Sequence, residues 1–196
     1  ELISLTAFYK LIKNPISRIE VASAGGYLSY ENIADKATVA GVEVEVRKNL
    51  FVRPLSSAAN GMNKLSFGLN GSYIYTNAKM PLATVTTGSQ LEGAAPWIAN
   101  FDLSHNFTKG THSFINTLVF NYVSDKIYTI GTQGYQDIME QGMMTLDFVS
   151  QAKLNKYVSL TLKARNLLNP SYKLSRKANE SGEKVVLSDY KKGINI

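Results

Sequence analysis

The chain has 196 residues, of which 44% are hydrophobic, so it is apolar enough to fold and is not wholly disordered. It contains no cysteine, which excludes disulfides, thiolate metal sites and cysteine nucleophiles. Its net charge of +6 comes from scattered lysines and arginines, without a basic helix or an RNA-binding signature, so we expect no nucleic-acid partner.

Alternation of apolar and polar residues recurs along the chain, with the period of two that gives a β-strand one apolar and one polar face. It predicts nine strand segments, and no apolar run approaches the ~18 residues that a membrane helix needs. The segments comprise residues 2–12, 16–32, 37–48, 65–76, 97–107, 112–123, 143–154, the strand within 154–172, and 190–196.

The lengths of the segments and of their connections favour a membrane barrel. Most segments have ~10–13 residues, longer than the ~5–6 of a soluble strand and long enough for the ~9–11 of a tilted membrane-spanning strand. From the fourth segment onward the connections alternate between long and short, as in barrels with long outer loops and short inner turns. Two earlier connections break the rule, because the outer one at 33–36 is short and the inner one at 50–64 is long.

The two faces of the segments differ in composition. The polar face is rich in Ser, Thr, Asn and Asp, which indicates a lumen or a wall against a plug. Aromatic residues such as Tyr73, Trp97 and Tyr122 gather at segment ends, where membrane barrels have aromatic girdles. The alternatives are a soluble β-sandwich, in which these rings are core or edge residues, and a passive porin-like channel. The pattern favours the antiparallel transmembrane β-barrel.

Three short motifs carry a family resemblance. They are residues 166–172 (Asn-Leu-Leu-Asn-Pro-Ser-Tyr), 40–45 (Ala-Gly-Val-Glu-Val-Glu) and 91–96 (Leu-Glu-Gly-Ala-Ala-Pro). The first resembles the Asn-Leu-(aromatic or aliphatic)-Asn-x-x-Tyr motif after the penultimate strand of TonB-dependent outer-membrane receptors. The others resemble the Gly-hydrophobic-Glu strand and a small-residue strand entry of the same family, and the chain as a whole is similar to receptors of the Bacteroidetes type.

This resemblance implies an all-β fold in which residues 1–196 supply about nine strands of a 22-stranded barrel that encloses a plug. We expect the chain to be the C-terminal part of the barrel, truncated at both ends, with the plug domain and signal peptide outside it. The resemblance implies the outer membrane of a Gram-negative bacterium and uptake of a siderophore, haem, cobalamin or glycan. The implied partners are outer-membrane lipid, the plug, a TonB-type energy-coupling protein and a surface lipoprotein.

Candidate functional residues lie mainly in the long connections. Trp97, Tyr128 and Tyr135 lie in or beside them, and aromatic rings are common in ligand sites, so we predict that they contact ligand. The two histidines, His105 and His112, flank a predicted turn and could meet across a hairpin, but no third metal ligand has suitable spacing. We expect no catalytic residue, metal or cofactor, and therefore no enzyme.

A pair of carboxylates stands out on one predicted strand. Glu43 and Glu45 share a face, as an acid–base pair would, but no apolar surroundings would raise a pKa and Arg47 follows in the same row. We interpret them as part of a charged row that faces the lumen.

Overall fold

The structure is a computed structural model that describes residues 1–21, 27–55, 61–79, 90–132, 134–178 and 181–196. Regular secondary structure in these ranges consists of β-strands, and no helix there is long and apolar enough to cross a membrane. The strands are β1 (Leu2–Lys13), β2 (Ile16–Glu20), β3 (Leu28–Asn32), β4 (Lys36–Leu55), β5 (Gly61–Ala78), β6 (Trp97–Lys109), β7 (His112–Val123), β8 (Lys126–Thr129), β9 (Ile138–Glu140), β10 (Met143–Lys153), β11 (Ser159–Ala164), β12 (Ser171–Lys177) and β13 (Lys184–Lys191).

The main sheet contains seven strands in the order β1-β4-β5-β6-β7-β10-β11, and each neighbouring pair is antiparallel. Strand order follows chain order, as in an up-and-down barrel wall. The predicted all-β, antiparallel fold is therefore confirmed. The described part of this wall has seven strands, fewer than the predicted nine.

One face of the main sheet is mostly apolar and carries exposed side chains. On β1, Ile3 and Leu5 are 82% and 74% exposed, and on β11 at the opposite edge Leu160 is 59% exposed. Buried rows from two facing sheets would have the reverse property. No described sheet packs on this face, as a soluble β-sandwich would require, and the arrangement is that of a barrel wall whose apolar side faces lipid.

All connections at one end of the main sheet are short, and all those at the other end are long. Only residues 56–60, 110–111 and 154–158 lie between the strands at the inner end, whereas 14–35, 79–96 and 124–142 lie between them at the outer end. The two predicted exceptions are therefore wrong. The register of β4 shifts between Asn49 and Phe51, so strict alternation stops there although the strand continues to Leu55.

The second predicted segment, 16–32, does not span the wall. It forms the antiparallel hairpin β2–β3, which belongs to the long outer connection between β1 and β4. Asn14 has a φ of 48°, and with Pro15 it interrupts the strand between β1 and β2. The apparent short outer link at 33–36 is simply the base of this hairpin.

A second sheet continues the wall beyond its outer end. Its order is β13-β12-β9-β8, and β8, β9 and β12 follow the same neighbour order as β7, β10 and β11, to which they connect. The predicted closing strand at 190–196 is wrong, because β13 ends at Lys191 and only Asn195 pairs further on, with Arg165.

The motif at 166–172 forms the break between β11 and β12. Asn166 and Asn169 have φ values of 59° and 44°, a left-handed conformation that asparagine tolerates better than most residues. The Asn166 side chain donates to the Gly193 carbonyl over 2.7 Å, and Gly193 N–H donates to Asn169 Oδ1 over 3.1 Å. The two asparagines therefore hold both the turn and the last segment of the chain.

The buried hydrophobic cluster of the described chain lies at the outer end. Its members are Ile19, Ile33, Ala34, Ala37, Ala78, Ile127 and Ile130. Ala37 and Ala78 pair across β4 and β5 on the face that also carries Glu43, so the β2–β3 hairpin folds over the polar face. Ile130 accepts from Glu20 N–H over 3.1 Å and donates to the Arg18 carbonyl over 3.0 Å, which ties the hairpin to the chain after β8.

Candidate functional site

The polar face of the wall carries side chains that hydrogen-bond across strands. Asn70 donates to Glu43 over 2.7 Å, and Asn100 donates to Asn70 over 3.4 Å. Arg47 pairs with Glu45 over 2.6 Å. These residues form two neighbouring hydrogen-bonded groups of amides and charges, as expected for a wall that faces water or a plug. The two glutamates are each engaged by a neighbour, which fits the charged row that we predicted.

Arg18 is the first of two half-buried arginines at the outer end. Its guanidinium lies 4.3 Å from the centre of the Tyr128 ring and 3.6 Å from Glu92 Oε1, and its backbone N–H donates to Glu92 over 2.5 Å. Burial lowers the pKa of Arg18, but a hydrogen bond to Tyr30 and the charges of Tyr128, Tyr30 and Glu92 outweigh this and raise it. The residue is a permanently charged contact between β2, β8 and residues 90–96.

Arg176 of β12 is the second half-buried arginine at the outer end. It forms an ion pair with Glu20 of β2, and its guanidinium lies 5.2 Å from the centre of the Tyr135 ring. Burial raises the pKa of the nearby Asp137, although a hydrogen bond from Gly131 N–H and the charge of Arg176 partly offset the rise. The guanidinium Nε of Arg176 is buried without a partner within the described structure.

A cavity of about 330 Å³ opens beside Arg176, between β9, β12 and β13. Its lining combines carboxylates, amide and hydroxyl groups with cationic side chains, from Asp125, Gln136, Asp137, Ser175, Arg176 and Lys184. Mixed donors and acceptors of this kind suit a polar ligand. The outer end is therefore the candidate ligand-binding region.

Two of the three predicted ligand contacts lie against arginines that engage the β2 strand at the outer end. Tyr128 lies against Arg18 of β2, and Tyr135 lies against Arg176, which forms an ion pair with Glu20 of β2. Trp97 lies elsewhere: it is 56% exposed on the apolar face and contacts Tyr73 at 4.6 Å between ring centres. Whether any of the three contacts ligand stays a prediction.

The sequence did not reveal the charged partners in this cluster. Glu20 and Arg176 are 156 residues apart and Arg18 and Glu92 are 74 apart, and no local periodicity connects such positions. The signal that could have pointed to them is an acidic residue beside a long connection, which is common in any loop.

The two histidines do not meet. His105 pairs with Asn116 across the β6–β7 hairpin, whereas His112 pairs with Lys109, and His105 bonds to Asn63 over 2.8 Å. Within the described ranges, no group of three His, Asp or Glu residues is arranged to hold a metal.

A wall of long antiparallel strands with an exposed apolar face, a hydrogen-bonded polar face and long connections at one end defines a transmembrane β-barrel of the outer-membrane type. The family model described as "TonB dependent receptor-like, beta-barrel" matches residues 1–167, and the chain belongs to this family of outer-membrane receptors and transporters of Gram-negative bacteria. No curated protein and no solved structure matches the chain.

Proposed function

We propose that this chain is part of the wall and outer connections of a receptor in the outer membrane of a Gram-negative bacterium, which takes up a scarce nutrient by TonB-dependent transport. The nutrient is a siderophore, haem, cobalamin or glycan. The observation that supports this best is the arrangement of its faces, with apolar side chains uncovered on one side and the Arg18–Tyr128 and Arg176–Tyr135 contacts at the outer end.

The proposal divides the work between regions. Residues 1–196 act as the C-terminal part of the barrel and hold the outer binding surface, while a plug domain and a TonB-type protein supply energy coupling. Tyr128 and Tyr135 offer flat rings, and the neighbouring cavity offers cations and acceptors, so ligand binds through stacking and polar contacts. A surface lipoprotein can cover this end. We propose no catalytic step.

Growth on a single nutrient tests the proposal. A strain that lacks the full-length receptor is complemented with it, and growth is measured on a ferric siderophore, haem, cobalamin or a glycan as the limiting source. We expect growth on one class to require both the receptor and TonB. Uptake that persists without TonB would instead support the passive porin-like channel.

Variants then test the outer end. We expect Tyr128→Ala with Tyr135→Ala to raise the ligand concentration for half-maximal uptake about tenfold, because each ring contact is worth about 0.5–1.5 kcal/mol. The matched control is Tyr157→Ala, which removes an equally large ring from the inner turn at 154–158, where the side chain is 82% exposed. Equal effects of the two changes would contradict binding at the outer end.

A further inference from the structure

A recess of about 400 Å³ lies on the apolar face of the wall, close to its outer end. Gly71 forms its floor together with Ala99, and its edges come from larger side chains. Its main lining residues are Val44, Gly71, Tyr73, Trp97, Ala99 and Tyr122. None of the described residues around it is charged, so the recess suits an apolar occupant.

The recess exists because two small residues are neighbours in the sheet. Gly71 pairs with Ala99 on one side and Val44 on the other, and Ala99 pairs in turn with Tyr122. Residues paired across neighbouring strands project from the same face of the sheet. The side chains of Val44 and Tyr122 therefore project further from the sheet than Gly71 and Ala99 between them.

The protein itself does not need a glycine at position 71. A Cβ atom built there would meet nothing within 4 Å, whereas one at Gly41 would lie 2.5 Å from Phe8 Cζ and one at Gly68 would lie 2.3 Å from Asp102 Oδ1. Gly41 and Gly68 thus make room for this chain's own side chains. The space above Gly71 is open to whatever surrounds the wall.

The position of the recess along the strands places it in the outer half of the apolar band. On this face β6 runs from Trp97 at its outer end to Phe107 ten residues later, which is about 33 Å along the strand and ~25 Å along the membrane normal at a tilt of ~40°. A polar row of His105, Asn116 and Ser150 crosses the same face near the inner end, so its apolar side chains lie mainly towards the outer end. The Gly71–Ala99 pair lies two residues further towards the inner end than the Tyr73–Trp97 pair on the same face. This places Gly71 at the level of the outer leaflet.

We propose that this recess binds one acyl chain of an outer-leaflet lipid as a fixed, saturable site. The recess is continuous with the lipid-facing surface and is lined by apolar atoms, and an unfilled depression there would forfeit dispersion contacts. Tyr73 and Trp97, at its outer edge, are 39% and 56% exposed and carry polar atoms suited to the headgroup level. The inference rests on the membrane placement of the proposed function.

Trp97 provides the reporter, because it is the single tryptophan of these 196 residues and lines the recess. The full-length receptor in detergent micelles is titrated with a phospholipid that carries bromine on its acyl chain, a contact quencher of indole fluorescence. The signal of Trp97 is the difference between each protein and the same protein with Trp97→Phe. We expect saturable quenching.

Two variants fill the recess from neighbouring strands, Gly71→Phe and Ala99→Phe. In both variants, we expect half-maximal quenching to need an about threefold higher mole fraction of brominated lipid, because the lipid acyl chain loses several dispersion contacts with the recess. Ala152→Phe adds the same ring to the same face near the inner end and should titrate like the unchanged receptor. The two filled variants guard against a folding defect in either one.

Three outcomes would overturn the inference, and they differ in whether they also contradict the membrane placement of the proposed function. Identical titrations of the receptor and both filled variants would remove the site but leave the membrane placement intact. Quenching that appears only in the filled variants would mean that something other than lipid occupies the recess of the unchanged receptor. Absence of quenching in every protein would contradict the lipid-facing assignment itself, on which the proposed function depends.

Discussion

The wall and the outer end of this chain differ in whether their apolar side chains are buried within the protein. The buried hydrophobic residues in the described ranges all lie at or beyond the outer ends of the spanning strands: Ile19, Ile33, Ala34, Ala37, Ala78, Ala95, Ile127, Ile130 and Ile138. On the described part of the wall no large apolar side chain is buried, and many are exposed. The wall uses the bilayer as its apolar surroundings, whereas the outer end builds its own core in water.

The largest expected effect comes from the outer core. Ile130 is fully buried and lies where the β2–β3 hairpin joins the chain after β8, so Ile130→Ala leaves a cavity and should cost the outer end about 2–5 kcal/mol. Hydrogen exchange of the full-length receptor in detergent measures this, with the loss of protection confined to the outer end.

The matched change on the wall is Val44→Ala, at a side chain that is 41% exposed on the lipid-facing side. There the removed methyl groups leave no closed cavity, so we expect a cost below about 1 kcal/mol. If the two substitutions had similar effects, the contrast between a lipid-supported wall and a self-packed outer end would not hold.

A second comparison sets the two faces of the wall against each other through their glycines. Gly41→Ala would bring a methyl group within 2.7 Å of the Tyr73 carbonyl oxygen, which is backbone and cannot rotate away. We expect it to destabilise the barrel by about 1–3 kcal/mol, measured as the midpoint of urea unfolding in detergent. Gly71→Ala, on the apolar face, should be neutral or slightly stabilising. A destabilising Gly71→Ala would contradict the open recess.

The spanning strands were predictable from the sequence because each has one face in lipid and one in water. Residues 112–123 match β7 at both ends, and the segments that start at Trp97 and Met143 match the starts of β6 and β10. The alternation of apolar and polar residues along each strand follows from these two environments. It failed at Leu50, where a register shift interrupts it without ending the strand.

The outer end was far less predictable, for a physical reason. The hairpin β2–β3 is held by contacts to Ile130, more than a hundred positions away, and these leave no period in the sequence. The aromatic residues Tyr128 and Tyr135 could be selected as candidates by residue type and location. Their arginine partners could not, because any of the scattered arginines was equally eligible.

Two carboxylates of the outer end, Asp137 and Asp189, have pKa shifts in opposite directions. Burial raises the pKa of Asp137, so folding favours its protonated form, and its contribution to stability is largest at low pH and is lost as pH rises through the folded-state pKa. Asp137→Asn keeps an acceptor for Gly131 N–H, which is 2.9 Å away, and removes the buried charge. We expect higher stability at neutral pH and a weaker pH dependence, measured by thermal unfolding across pH 4 to about pH 8.

Asp189 supplies the control of opposite sign. A hydrogen bond from Lys173 lowers the pKa of Asp189, so its contribution is present at neutral pH and is lost as pH falls through the folded-state pKa. Asp189→Asn should therefore reduce stability at neutral pH. A change in the same direction in both variants would show that burial at Asp137 does not set its titration.

The smallest expected effect is at Tyr172 of β12, whose hydroxyl donates to Glu140 over 3.3 Å. Burial, together with the charge of Glu140, raises the pKa of Tyr172 to about 12, so its contribution is present below pH ~10 and is lost as pH rises toward 12. The tyrosinate absorbance of the receptor minus that of Tyr172→Phe isolates this group, and we expect a midpoint near 12. Glu140→Gln should lower that midpoint, because it removes the neighbouring negative charge. A difference curve centred near 10 would mean that water reaches the hydroxyl, and that the outer sheet is open where the structure has it packed.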